Sequence, residues 1–179
     1  PVFVYADGGV GKTVFIQSLA AHLDDTFETV VFDCFGGGSY RLEEQARHLP
    51  KVGLVQIINE LAARGLCDPV LPTDSADRTG LIKMAQKRLS QAAEAVRTQS
   101  SKEGILIVLD AADNAQLEAD RRHEDAFPRL LLSALSNQPI EGVKLLLTAR
   151  PHRMASVVGR SNVSPYELGP FTSEEVEEF

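Results

Sequence analysis

The sequence has 179 residues and a formal net charge of −7, with 44% apolar and 24% charged residues. This balance is typical of a soluble domain with a hydrophobic core. The acidic excess argues against a general nucleic-acid or membrane-surface binder, because both carry basic surfaces. The sequence has two cysteines and no apolar stretch near the roughly 18 residues of a membrane span, which predicts a cytoplasmic protein without a disulfide framework.

Strand-like and helix-like patterns alternate along the chain. Apolar runs predict strands, and apolar residues at helical spacing predict helices. In chain order we predict a strand over 2–5, a helix over 12–23, a strand over 29–32, helices over 54–63 and 81–96, a strand over 105–109, a helix over 126–135, and strands over 143–147 and 166–168. This alternation is typical of a three-layer α/β sandwich with a mainly parallel sheet and helices on both faces.

The first strand leads into a glycine-rich segment, ADGGVGKT at 6–13, which departs from the phosphate-loop pattern G-x-x-x-x-G-K-[ST] only by Ala6. The glycines let the backbone curl so that its amides face phosphate oxygens, and the following helix points its positive end at the same anion. Lys12 is expected to reach the β- and γ-phosphates, and Thr13 to bind Mg²⁺. The predicted nucleotide-binding residues here are Asp7, Gly8, Gly9, Val10, Gly11, Lys12, Thr13 and Val14.

A second acidic motif follows the buried strand at 105–109, where the sequence reads ILIVLDAADN. Asp110 has the position of a Walker B carboxylate, beside the phosphate loop at the carboxyl edge of a parallel sheet, and is predicted to hold Mg²⁺. Asp113 is a candidate to orient or deprotonate the attacking water. The alternatives are a turn or cap role for Asp110 and a solvated loop position for Asp113.

The strand at 143–147 ends in a third polar motif, VKLLLTARP. Thr148 is predicted to hydrogen-bond a water or phosphate, and Arg150 to detect the γ-phosphate. Pairing of Arg150 with a surface carboxylate is the alternative. The catalytic candidates are therefore Lys12, Asp110, Asp113 and Arg150.

In this order, the segments ADGGVGKT, LDAADN, LLLTARP and LGPFTSEEVEEF resemble the STAND class of signal-transduction NTPases, which includes the NACHT and AP-ATPase branches. With FDCFGGGSYR after the second strand, they look most like bacterial antiviral STAND ATPases. Two residues depart from the class pattern: Ala149 replaces a usual Ser, and Asn114 stands where Glu is common.

The resemblance implies a cytoplasmic ATPase switch that holds ATP or ADP with Mg²⁺ and hydrolyses ATP slowly. Such a switch responds to a trigger, here expected to be a viral protein, and self-associates to activate an effector. Effector and sensor domains would flank this sequence. Membranes and nucleic acids are not expected as partners of this domain.

Two other functions remain open. One is a P-loop enzyme of another kind, such as a small-molecule kinase or a GTPase, although the guanine-reading tetrapeptide Asn-Lys-x-Asp does not occur. The other is a nucleotide-stabilised scaffold with little hydrolysis, which Asn114 keeps open.

Domain boundaries follow from the same patterns. Residues 1–171 are predicted to form the P-loop NTPase core, and SEEVEEF within 172–179 to begin the next helical subdomain. Because the chain opens in a strand and ends in a helical pattern, we expect it to be part of a longer protein. The four histidines show no metal-ligand spacing and are expected at the surface or in loops. The charged run EADRRHED at 118–125 is expected to be a solvated loop or helix start.

Overall fold

The computed structural model of the chain describes residues 1–42, 45–71 and 77–170. Its strands are β1 (Val2–Tyr5), β2 (Phe27–Asp33), β3 (Gly104–Asp110), β4 (Val143–Ala149) and β5 (Ser164–Glu167). Its α-helices are α1 (Lys12–His22), α2 (Pro50–Ala63), α3 (Arg78–Gln99), α4 (Ala112–Arg122), α5 (Phe127–Asn137) and α6 (Met154–Val158). Short 3₁₀ turns occupy Gly36–Arg41 and Pro151–Arg153.

The five strands form one parallel sheet in the order β2-β3-β4-β1-β5. Every residue of β3 is buried, which explains its almost purely apolar sequence. Because the strands are parallel, the carboxyl ends of β1, β2, β3 and β4 meet at one edge. That edge is where such folds bind ligands.

Helices cover both faces of this sheet. The larger core lies between the sheet and α2, α3 and α5, and contains Phe32, Leu54, Leu89, Ile107 and Phe127. A smaller core lies under α1, where Ile16 packs with inward residues of β1, β3 and β4. The predicted three-layer α/β sandwich is therefore confirmed.

The segment 118–125 contains the end of α4 and the turn after it, so the prediction that a helix starts there is wrong. Most of the segment is exposed, as predicted, but Glu118 and Ala119 are buried. Glu118 is only 1% exposed. Its carboxylate accepts hydrogen bonds from Arg121 at 2.7 and 3.0 Å and from Arg122 at 2.6 Å. These charges pair with one another at helical spacing, which allows the Glu118 carboxylate to be buried.

His48 lies in a turn before α2, as predicted for a loop histidine, but it is not at the surface. This residue is fully buried, and its Nε2 lies 2.5 Å from Glu124 Oε2. Its carbonyl also accepts a hydrogen bond from Phe127 N at 2.8 Å. His48 thus joins the start of α2 to the segment between α4 and α5.

One prediction concerns residues outside the described ranges: the helical subdomain expected at 172–179 lies there. Within the described ranges, no helix is both long enough and apolar enough to cross a bilayer.

The Glu118 ion pairs predict a pH-dependent stability. Hydrogen bonds from Arg121, then those from Arg122, lower the pKa of Glu118 to about 2, although burial opposes them. A carboxyl with a depressed folded pKa stabilises the protein at pH values above its unfolded pKa, and this contribution is lost as the pH falls through the folded value. Glu118→Gln should therefore lower the free energy of unfolding at pH 7, and the difference from wild type should shrink as the pH falls from about 4.5 towards 2.

Chemical denaturation at several pH values measures this difference. Glu60→Gln is the matched control, because Glu60 makes a similar ion pair with Arg64 on an exposed helix surface and should contribute little. Equal effects of the two substitutions at pH 7 would contradict the prediction.

Candidate functional site

The glycine-rich segment after β1 adopts the backbone that its sequence predicts. Gly9 and Gly11 have φ angles of 85° and 97°, in the left-handed region that favours glycine. Gly11 caps α1 and has no side chain to occupy the first helical amides, so these remain available to an anion. Lys12 Nζ donates to the carbonyl oxygens of Ala6 and Asp7, both at 2.7 Å. Burial lowers the pKa of Lys12, although the Asp113 carboxylate opposes this effect.

Asp110 joins the first turn of α1 to the end of β3. Thr13 Oγ1 donates to Asp110 Oδ2 at 2.8 Å, across 97 residues of sequence. The Asp110 backbone carbonyl also accepts from Cys34 N at 2.9 Å, which holds the end of β2 beside it. The two predicted metal ligands, Thr13 and Asp110, are therefore neighbours.

Thr148 takes a different place from the one predicted. It is fully buried at the end of β4, and its hydroxyl donates to Asp110 Oδ1 at 2.5 Å while accepting from Ala111 N at 2.8 Å. Both hydrogen-bonding directions of the hydroxyl are used within the protein, so Thr148 does not face the cleft as a direct phosphate ligand would. It acts on the site by orienting Asp110.

The chain turns sharply after Asp110, and the turn brings Asp113 into the site. Ala111 adopts a left-handed conformation (φ 53°, ψ 42°), which is strained for a residue with a Cβ atom. The helix α4 then begins at Ala112, so Asp113 lies in its first turn and not in a solvated loop. Asp113 is only 2% exposed, and burial raises the pKa of its carboxyl while Arg150 opposes the shift.

Arg150, just past β4, approaches Asp113 from the other side of the cleft, with Nε 3.5 Å from Asp113 Oδ2. The cleft has a volume of about 440 Å³. Seven predicted site residues line it, and they are Gly8, Gly9, Lys12, Thr13, Asp110, Asp113 and Arg150. Four further predicted residues belong to the loop or the first turn of α1 without lining the cleft, and they are Asp7, Val10, Gly11 and Val14.

Comparison with known proteins places this site in a family. The sequence model described as nephrocystin 3, N-terminal, matches residues 2–150, from the start of β1 to Arg150. The chain belongs to the nephrocystin 3 N-terminal family. The match includes all three predicted motifs. Among curated proteins, none matches the sequence significantly.

A solved structure supports the fold of this nephrocystin 3 N-terminal family member. The ORC2 protein of Aeropyrum pernix, described in complexes with ADPNP and ADP, aligns with 99% of this chain at a TM-score of 0.52 and 13% identity. The chain spans 43% of the length of that protein. At this identity the similarity shows a P-loop NTPase-like fold.

The cleft of this family member also contains residues that the sequence analysis did not select. Asp33, at the end of β2, accepts hydrogen bonds from Phe35 N at 2.7 Å and Gly36 N at 2.9 Å. This contact bends the chain so that Phe35 and Gly37 line the cleft opposite the phosphate loop. Asn114 lines it from α4 and is 3% exposed. The sequence did contain a signal for Asp33. It ends a strand shortly before a run of glycines, which is a typical position for a cleft residue.

The oxygens of Thr13 and Asp110 suit a magnesium ion. Mg²⁺ binds oxygen at 2.0–2.1 Å in octahedral geometry, so adjacent ligands lie about 2.9 Å apart. The 2.8 Å separation of Thr13 Oγ1 and Asp110 Oδ2 is that of their hydrogen bond, and it is close to this spacing, so both oxygens would reach one ion with little movement. No cluster of three His, Cys, Asp or Glu side chains with metal-binding geometry occurs within the described ranges. Two protein oxygens suffice for Mg²⁺ in nucleotide sites, because phosphate oxygens and water complete the shell.

The buried position of Thr148 generates a test. Thr148→Val keeps the shape of the side chain but leaves Asp110 Oδ1 and Ala111 N without their partner. A loss of about 1–3 kcal/mol in the free energy of unfolding is therefore expected without nucleotide or Mg²⁺. Thr148→Ser retains the hydroxyl, and its free energy of unfolding should fall by less. Denaturant unfolding compares the two, and a Val variant as stable as the Ser variant would contradict the orienting role.

Proposed function

We propose that this domain is the nucleotide-binding and hydrolysing core of a STAND-type signalling ATPase, in which ATP binding licenses self-association and activation of an effector. The observation that carries the proposal is the convergence of three chain segments on one cleft: Lys12 and Thr13 from the phosphate loop, Asp110 from β3 and Arg150 from β4. The ADPNP and ADP complexes of the archaeal ORC2 protein support the choice of an adenine nucleotide. The motif order supports the STAND class, and FDCFGGGSYR supports a role in bacterial antiviral defence with a viral protein as trigger.

In this proposal the phosphate loop binds the triphosphate. The free amides at the start of α1 and the Lys12 ammonium neutralise the β- and γ-phosphates. Lys12 Nζ lies at the loop, bonded to two carbonyl oxygens, and it would exchange these bonds for phosphate oxygens. A bound Mg²⁺, held by Thr13 and Asp110, would supply the charge neutralisation that phosphoryl transfer requires.

In this proposal Asp113 accepts the proton of the attacking water, and Arg150 binds the γ-phosphate. As the water oxygen bonds to the γ-phosphorus, the bond from that phosphorus to the β–γ bridging oxygen breaks, and the water proton passes to the Asp113 carboxylate. Arg150 stabilises the charge on the γ-phosphoryl oxygens. Burial raises the pKa of Asp113, which favours proton acceptance in the ionised state.

A scaffold with little hydrolysis is a second candidate function. Asn114 lines the cleft, where the resembling class commonly has Glu, and an amide cannot accept a proton as a carboxylate does. This replacement supports slow turnover. Among the described residues of α4 that line the cleft, Asp113 is the carboxylate left to accept a proton.

Nucleotide binding is tested by Lys12→Ala in the longest available protein containing this domain. Losing the ammonium should weaken ATP and ADP binding by about 100-fold or more, because it removes the main charge at the phosphates. Calorimetry with Mg²⁺ measures both affinities. Lys51→Ala, an exposed lysine of α2, is the matched control and should bind normally. A folded Lys12→Ala protein with unchanged affinity would refute the phosphate-loop assignment.

The switch is tested by Asp113→Asn in the same protein. Without the carboxylate, ATP turnover should fall by about 100-fold, the typical contribution of a general base, while ATP still binds. The triggered assembly should therefore persist longer than in wild type. Phosphate release and light scattering follow the two properties. If assembly is the same with ATP, with ADP and without nucleotide, the domain is an ordinary ATP-consuming enzyme or a scaffold.

A further inference from the structure

Asp113 and Arg150 form an ion pair that differs from the other pairs of the domain. Asp113 is 2% exposed, and its Oδ2 atom is buried without a hydrogen bond from the described residues. The nearest guanidinium nitrogen, Nε of Arg150, lies 3.5 Å away, close enough for attraction but longer than an ordinary hydrogen bond. The Arg150 side chain is 39% exposed, so the cationic partner is open to the cleft while the anionic partner is enclosed.

The second cation of the cleft is differently bound. Lys12 donates two hydrogen bonds of 2.7 Å to the carbonyl oxygens of its own loop. It therefore contributes charge near Asp113 without a direct bond to it. Arg150 is the cation in ion-pair contact with Asp113 among the described residues.

The γ-phosphate would compete with Asp113 for this arginine. A phosphate group accepts two parallel hydrogen bonds from a guanidinium, and such bidentate pairs are among the strongest charged contacts in proteins. The Arg150–Asp113 contact, by comparison, is long and lacks hydrogen-bond geometry. ADP ends at the β-phosphate and offers no such competitor.

From this geometry we propose that the Asp113–Arg150 pair is an interlock that the γ-phosphate opens, so that Asp113 is released to the attacking water only when ATP is bound. This inference rests on the proposed function and adds the regulation of the same site. With ADP or without nucleotide, Arg150 faces Asp113 and its positive charge disfavours acceptance of a proton by the carboxylate. With ATP, Arg150 moves to the γ-phosphate, and the unbonded Oδ2 atom accepts the hydrogen bond of the water.

The interlock makes a distinctive prediction about affinity. ATP binding must break the pair, whereas ADP binding leaves it intact. Asp113→Asn removes the competing charge and should tighten binding of the non-hydrolysed analogue ADPNP by about five- to tenfold, while ADP affinity stays within about twofold. Arg150→Gln should weaken ADPNP binding. In the double variant, Asp113→Asn should no longer increase the affinity for ADPNP over that of Arg150→Gln alone, because no arginine remains to be released.

The experiment is a double-mutant cycle by calorimetry with Mg²⁺, on the longest available protein containing this domain. Asp120→Asn is the matched control, because it removes one carboxylate from the same helix away from the cleft. Thermal unfolding establishes that each variant folds, and Asp113→Ala replaces Asp113→Asn if the Asn variant does not.

The outcomes separate the possible explanations. An ADPNP gain that persists without Arg150 would mean that the Asp113 carboxylate repels the phosphate directly, and would overturn the interlock. Equal ADPNP affinities for wild type and Asp113→Asn would also overturn it while leaving the nucleotide switch in place. If wild type binds neither nucleotide, the proposed function itself fails, and the interlock fails with it.

Discussion

The site depends on one buried carboxylate. Asp110 is 4% exposed, and such burial is tolerable for a carboxylate only when its oxygens are hydrogen-bonded. Thr13 binds one oxygen and Thr148 the other, so the first turn of α1, the end of β3 and the end of β4 are fixed to a single side chain. The phosphate loop consequently has a defined position relative to Arg150, two residues beyond Thr148. The sheet already aligns the strand ends, and these two hydrogen bonds add the side-chain link between the motifs.

Backbone geometry around Asp110 directs the remaining side chains. The strained Ala111 ends β3 abruptly and starts α4 at the cleft, which brings Asp113 and Asn114 to its wall. Ala111 N donates to Thr148, so the hydroxyl that orients Asp110 also helps to hold the strained turn. Strain at a residue whose neighbours over-determine its conformation is common at functional sites. Here the strained turn allows three polar side chains, Asp110, Asp113 and Asn114, to line one cleft.

Sequence patterns predicted the strands, most helices and the three motifs, because buried parallel strands are apolar runs and glycines mark the left-handed positions of the phosphate loop. They did not predict features created by tertiary pairing. Thr148 was expected to hydrogen-bond a water or phosphate, but nothing in VKLLLTARP shows that its hydroxyl donates to Asp110 instead. Likewise, the sequence does not show that Glu118 and His48 are buried. Glu118 can be buried because it pairs with arginines, and His48 because it pairs with Glu124. Asp33 was missed because a strand-ending aspartate is common, and its role emerges only when β2 lies beside β3.

The charges of the cleft give a physical reason why the proposed nucleotide would bind together with a divalent cation. Among the described residues that line it, Asp33, Asp110 and Asp113 oppose Lys12 and Arg150. A polyphosphate entering such a lining meets more negative than positive charge, apart from the helix amides. Lys12 is partly buried, which lowers its pKa, and its single ammonium does not neutralise a triphosphate. A divalent cation held by Asp110 and Thr13 would neutralise the carboxylate that otherwise repels the phosphates. Asp113 lies outside this pair of oxygens, and its cationic neighbour in the described cleft is Arg150, which under the proposed interlock would control its approach to the γ-phosphate.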